Sequence, residues 1–275
     1  MLLLLVLLVS ISMRNILTVS ILLAVSLIVS SCATQVSVLT NIRTARNSFV
    51  KVETWIGVCD EEKNVCMAPE VYSVGSGAAV YYGNTKKVLT AAHVCDIGPM
   101  GKKIQEAGGN IFLKVIDREG RSHRAEIVNL DHTIDACLLH AATLDIPALR
   151  ISTKKPMYGE RVYNIASPMG ISDGAMVPLF QGLFFGNKKR RAYYSIPTIG
   201  GASGSPILNI KGELVGMIHS VHYRFHHVSL SVTYADLWNF LEIARSHITV
   251  IQKLCQRSSC VQNHIEEFLL EHDTF

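Results

Sequence analysis

The segment Gly201-Ala202-Ser203-Gly204-Ser205-Pro206 sets a serine among glycines, and upstream stand Thr90-Ala91-Ala92-His93 and Ile134-Asp135-Ala136-Cys137-Leu138-Leu139. A serine hydroxyl becomes a nucleophile when an imidazole takes its proton, and the imidazole needs a carboxylate to fix its tautomer and stabilise its charge. His93, Asp135 and Ser203 supply those groups in that order along the chain. Gly201 and Ser203 bracket a tight turn in which two backbone N–H groups can converge on the oxyanion of a tetrahedral intermediate. The chemistry on offer is acyl transfer.

Each member has a plainer reading. A Gly-Ser-Gly-Ser-Pro stretch is also an ordinary turn, and a histidine can be a satisfied core residue. His93 follows the short apolar run Val88-Leu89-Thr90-Ala91-Ala92, whose small last residues leave the imidazole room in a cleft. Asp131, beside His132, is a rival carboxylate, but Asp135 enters the apolar run 136–139 directly, and Asp131 is expected to cap a turn. A nucleophile elbow of the α/β-hydrolase kind would need glycine where Ser205 stands and a helix where Pro206-Ile207-Leu208-Asn209-Ile210 reads as a strand. That fold also places its histidine after the serine.

The His, Asp, Ser order and the strings Thr90-Ala91-Ala92-His93 and Gly201-Ala202-Ser203-Gly204-Ser205-Pro206 resemble the chymotrypsin-like (trypsin-like) serine peptidases over roughly residues 48–246. In motif they are most similar to the HtrA-type and glutamyl endopeptidase branches. The resemblance implies catalytic His93, Asp135 and Ser203, an oxyanion hole from Gly201 and Ser203, and a specificity pocket at Pro197, Thr198, Ile218 and Ser220. Thr198 matches a pocket threonine of the glutamyl branch, but Ile218 stands where that branch has a histidine, so an acidic residue at the cleavage site is not favoured. Pro197, where trypsins carry an aspartate, argues against Lys or Arg specificity, which leaves small or apolar side chains. His219, one residue on, takes the place of a family serine that contacts the triad aspartate. The expected partners are protein or peptide substrates, with no cofactor and no nucleic acid. A catalytically inactive binding or scaffold module is the alternative.

These residues require scaffolding strands. The runs 49–58, 78–82, 87–90, 111–116, 125–130 and 136–139 are rich in β-branched and aromatic residues and divided by turn signals, among them Gly75-Ser76-Gly77. After Pro147 the pattern resumes at 161–166, 176–185, 192–196, 206–210, 214–219 and 230–233. Two sets of strands, His93 and Asp135 in the first and Ser203 in the second, imply an all-β protein with catalysis in a cleft between two barrels. The family resemblance makes these six-stranded, antiparallel and Greek-key. Helical periodicity is confined to a C-terminal helix, 235–246. The expected organisation is a signal segment 1–32, a linker 33–47, barrel one 48–147, barrel two 148–234, the helix, and an extension 247–275.

With 275 residues, 49% hydrophobic and 17% charged, the chain can bury a large core. Its net charge of +4 is too modest for a nucleic-acid binder, and the cluster Lys188-Lys189-Arg190-Arg191 reads as a solvated hairpin tip. The start of the chain carries two apolar runs, 2–9 and 16–29, split by Met13-Arg14-Asn15. Translation from Met13 would give a basic leader and a signal core ending in Val29-Ser30-Ser31-Cys32, which resembles a bacterial lipobox. Lipidation at Cys32 is expected, with plain signal cleavage and a retained anchor as alternatives. The other cysteines, Cys59, Cys66, Cys95, Cys137, Cys255 and Cys260, form an even set suited to an oxidising compartment. Cys59 with Cys66 and Cys255 with Cys260 are the local pairings, and Cys95 either joins Cys137 or leaves it a buried thiol. His219, His222, His226 and His227 lack paired carboxylates, so no metal site is expected.

Overall fold

The computed structural model describes residues 37–60, 65–66, 68–173 and 176–242. The signal segment with Cys32, the extension 247–275 and the Cys255–Cys260 pairing lie outside them. Within them the chain folds as two antiparallel β-barrels side by side.

Barrel one is built from β1 (Phe49–Asp60), β3 (Glu70–Tyr82), β4 (Thr85–Thr90), β5 (Gly109–Ile116), β6 (Ser122–Asp131) and β7 (Ala136–His140), in the order β1-β3-β4-β7-β6-β5 and closed by β1 on β5. A short β2 (Val65–Cys66) pairs with the end of β1, its register setting Cys59 opposite Cys66. Barrel two joins β8 (Arg161–Ile165), β9 (Leu179–Lys188), β10 (Arg191–Tyr194), β11 (Pro206–Leu208), β12 (Leu214–His222) and β13 (Phe225–Val232) in the closed order β10-β13-β12-β11-β8-β9. Closure leaves no free sheet edge in either ring.

Alternation explains why these segments are strands. In β9 the buried positions Gly182 and Phe184 fall every second residue, while Leu179, Gln181, Leu183 and Phe185 face outward. β7, paired between β4 and β6, is buried at four successive residues, so both of its faces are packed, Cys137 against Cys95. The core is continuous from Val50, Leu89 and Leu138 in barrel one to Leu208, Leu214 and Met217 in barrel two, with a satellite cluster around Tyr194, Ile207 and Ile218.

Within the stretch expected as a linker, residues 37–45 form a helix, α1, that buries Ile42 and Ala45. Their spacing, with Val38 packed alongside, is one face of a helix too short to stand out in a polar stretch. Gly75-Ser76-Gly77 is not a turn but the middle of β3. A Cβ on Gly75 would come within 2.7 Å of the Val94 side chain and 3.1 Å of the Ser203 carbonyl oxygen, so this glycine serves close approach inside a strand.

Three helices complete the described chain: α2 (Ala92–Cys95), α3 (Pro99–Glu106) and α4, residues 234–242. Thr233 caps α4, accepting the Asp236 N–H at 3.2 Å and donating to the Asp236 carboxylate at 2.7 Å. Leu237, Phe240 and Leu241 form its buried face. No helix among the described residues is long and apolar enough to cross a membrane.

Cys95, at the end of α2, is disulfide-bonded to Cys137 on β7 across 42 residues. Closing a loop of that length restricts the unfolded chain by about 4 kcal/mol on a chain-entropy estimate. The Cys95→Ser/Cys137→Ser double variant should therefore melt roughly 10 °C lower. An unchanged melting temperature by calorimetry would show that the bridge contributes nothing.

Candidate active site

β4 ends at Thr90, and the chain turns into the single helical turn α2, which carries His93. Val94 is 1% exposed and its carbonyl accepts a 2.6 Å hydrogen bond from the Thr54 hydroxyl, so the turn is anchored while His93 points outward. Asp135 sits in the connection between β6 and β7. Asp131 accepts the N–H groups of Thr133 at 2.7 Å and Ile134 at 3.3 Å, which makes it the turn cap expected of it. That turn delivers Asp135 at φ 57°, a left-handed conformation that aspartate tolerates better than most residues.

His93 Nδ1 lies 2.8 Å from Asp135 Oδ2 and 3.0 Å from Oδ1, and the His93 backbone N–H donates to Oδ1 at 3.0 Å. Burial pushes the Asp135 carboxyl up, but the hydrogen bonds from the His93 ring and backbone and the charges of His93 and His219 outweigh it and hold the group below the usual carboxylate range. An ionised carboxylate only accepts, so Nδ1 must carry the ring proton, and Nε2 of the neutral ring is left as the acceptor. The tautomer of the His93 ring is thereby fixed by one carboxylate.

His219 stands behind the pair. β12 and β13 slip register between Ile218 and Ser220, so His219 is the bulged residue, and its Nδ1 reaches to 3.8 Å from Asp135 Oδ2. Burial is the main cause holding its pKa below the ordinary value. The expected contact with the aspartate is thus present as a near approach.

Ser203 lies in the loop between β10 and β11. The Gly200 carbonyl accepts the Met169 N–H at 2.7 Å. Because a trans peptide sets N–H opposite C=O, the Gly201 N–H is turned away from that contact. Neither Gly201 N–H nor Ser203 N–H donates to another group among the described residues. Gly201 has φ +91°, and a Cβ there would lie 2.6 Å from the Ser167 carbonyl oxygen and 2.7 Å from the Met169 nitrogen, so only glycine fits. No hydrogen bond joins Ser203 to His93 among the described residues.

Sequence reasoning passed over Ser76. It is fully buried on β3, at the level where the β4 ladder has already ended. Its N–H donates to the Ser203 carbonyl at 2.7 Å and its hydroxyl to the Gly201 carbonyl at 2.7 Å. The same hydroxyl accepts the Ser167 N–H at 2.9 Å, and its carbonyl accepts the Thr90 hydroxyl at 2.8 Å. One barrel-one residue thus holds both ends of the Gly201–Ser203 turn in barrel two. The only signal was a polar residue between two glycines, which also describes a turn.

The expected pocket residues are distributed unevenly. Ile218 is fully buried with the satellite core, and Thr198 is buried with its N–H on the His226 carbonyl at 3.0 Å. Pro197 is exposed and Ser220 half-buried. A groove of about 1130 Å³ runs past His93, Asp135 and His219 and is bordered by the tip of the β9–β10 hairpin. No cluster of three or more metal-ligating side chains occurs among the described residues.

Residues 75–217 match the family model of the trypsin-like peptidase domain. A Synechocystis protein named as the serine protease HhoB is 23% identical over 158 residues, which cover 54% of this chain and 35% of that protein. The serine endoprotease from Yersinia pestis superposes with TM-score 0.56 at 20% identity, covering 76% of this chain and 67% of its own. An inactive form of Rv3671c from M. tuberculosis gives TM-score 0.52 at 16% identity, with coverages of 72% and 86%. At these identities the structural likeness speaks for the fold, and the chain spans about a third of the length of the curated relative it matches.

Replacing Ser76 with alanine removes the donor to Gly201 and the acceptor for Ser167. The expected result is a loss of about 1–3 kcal/mol of stability and, from a loosened Gly201–Ser203 turn, a fall of about 100-fold in kcat on a peptide substrate. KM should move far less. Unchanged kcat in a destabilised variant would make Ser76 structural only.

Proposed function

Because the chain belongs to the trypsin-like peptidase family, we propose that it is an exported serine endopeptidase working through His93, Asp135, Ser203 and an acyl-enzyme intermediate. The observation that carries this reading is the paired contact of Asp135 with the His93 ring and backbone, which leaves Nε2 as the acceptor. In the proposed cycle Nε2 takes the Ser203 proton as Oγ attacks the peptide carbonyl, and the N–H groups of Gly201 and Ser203 bind the oxyanion. His93 then protonates the leaving amine, and water repeats the sequence on the acyl-enzyme.

One observation favours the second reading, a protease fold that binds without cutting: Ser203 and His93 share no hydrogen bond among the described residues. Catalytic hydrogen bonds are often long in unliganded sites and tighten when substrate is bound. The sequence carries all three side chains and the oxyanion glycine, which supports activity. Export rests on the leader that follows Met13, and lipid anchoring on Ser31-Cys32. The cleavage-site pocket is assigned to Pro197, Thr198, Ile218 and Ser220, with a preference for small or apolar side chains.

Ser203→Ala and His93→Ala should each lower kcat for peptide hydrolysis by about 10⁶-fold, and the double variant scarcely further, because the residues act as a unit. Asp135→Asn should cost about 10⁴-fold. Hydrolysis surviving in Ser203→Ala would end the nucleophile assignment, and none in the native, oxidised protein would favour the scaffold. Mass spectrometry of the mature amino terminus should find acylated Cys32; any other first residue removes the lipid anchor.

A further inference from the structure

The cluster Lys188-Lys189-Arg190-Arg191, which the sequence presents as a solvated tip, borders the groove that contains His93 and Asp135. Lys188 pairs with Arg191, so Lys189 and Arg190 form a two-residue hairpin turn. Lys189 has φ 56°, a position where glycine or asparagine would sit without strain. Lys189 thus places a cation where turn geometry alone would favour another residue. Arg190 bonds Asp236 at 3.3 Å and so fixes the tip against α4.

The charges around the groove do not balance. Its carboxylates are Asp96 and Asp135, and each has a partner: His132 Nε2 at 3.1 Å from Asp96, and His93 at 2.8 Å from Asp135. Lys188, Lys189 and Arg191 are exposed and have no carboxylate within salt-bridge distance among the described residues. Ser203 does not line this groove, so an extended peptide with its scissile bond at Ser203 would reach the cations with residues away from that bond.

We propose that this basic wall is a substrate subsite, selecting polypeptides that carry acidic residues a few positions from the bond to be cut. The proposal deepens the peptidase reading and rests on it. It is independent of the cleavage-site pocket, because a different set of residues forms it. Each exposed charge pair contributes little, but three unpaired cations beside one groove add up, and salt should screen the effect.

The test uses fluorescent peptides of one length around a common cleavable centre, with Asp and Glu on the amino-terminal flank, on the carboxy-terminal flank, or replaced by alanine. Binding to the full-length Ser203→Ala protein is followed by anisotropy, and kcat/KM is measured with the native enzyme. One acidic peptide should be preferred about tenfold at low salt, with the preference lost near 0.5 M salt. Lys188→Gln/Lys189→Asn, which suits the turn, should bring that ratio towards one. Equal binding of acidic and alanine peptides overturns the proposal even if the enzyme cuts both. Preferential binding of an acidic peptide without any hydrolysis keeps the subsite and removes the peptidase reading. If the double variant loses affinity for vesicles of phosphatidylcholine with phosphatidylserine while the peptide ratio stays put, the wall faces lipid and the proposal fails.

Discussion

Ser76 is where the two barrels become one site. Its amide, hydroxyl and carbonyl are all engaged, three of the four contacts reaching into barrel two and one returning to Thr90. A buried polar residue left partly unsatisfied would cost about 1–3 kcal/mol per missing partner, so the registration of the barrels is specific. Slip one barrel on the other and the Gly201–Ser203 turn loses both supports. The Gly75 backbone beside it permits this closeness, since no larger residue fits between Val94 and the Ser203 carbonyl.

The chemistry is divided accordingly. In the proposed cycle barrel one supplies the base and its carboxylate, held by α2, the β6–β7 turn and the Cys95–Cys137 bridge that ties those segments together. Barrel two supplies the serine turn and the bulged His219 that approaches Asp135 from behind. Asp135 is thus hydrogen-bonded by His93 and neighboured by His219, which suits the proposed role of a carboxylate that stays ionised while the imidazole beside it gains and loses a proton. The hairpin that extends the groove beyond this centre is fixed through Arg190 to the closing helix.

Much of this was legible in the residues, and what was not has physical causes. The strand runs on either side of Pro147 carried enough alternation and β-branching to give two six-stranded barrels, and the helical periodicity that begins at Ala235 marked α4. Gly75-Ser76-Gly77 misled because glycine permits both a turn and a close strand crossing, and only the partner across the gap decides between them. The helix 37–45 was hidden by its length. The position of Lys188–Arg191 beside His93 could not be read from sequence, since more than forty residues separate them from any part of the site in barrel one. His219 was the reverse case: strand alternation pointed it away from Ile218, and the bulge then aimed it at Asp135.

The central claim is that Ser203 is the activated nucleophile of an assembled site. Treating the native, oxidised protein with a fluorophosphonate and mapping the adduct by peptide mass spectrometry tests it most directly. One stoichiometric adduct on Ser203 is expected, abolished by His93→Ala. An adduct on another serine, or none under conditions where the fold is intact, would contradict it.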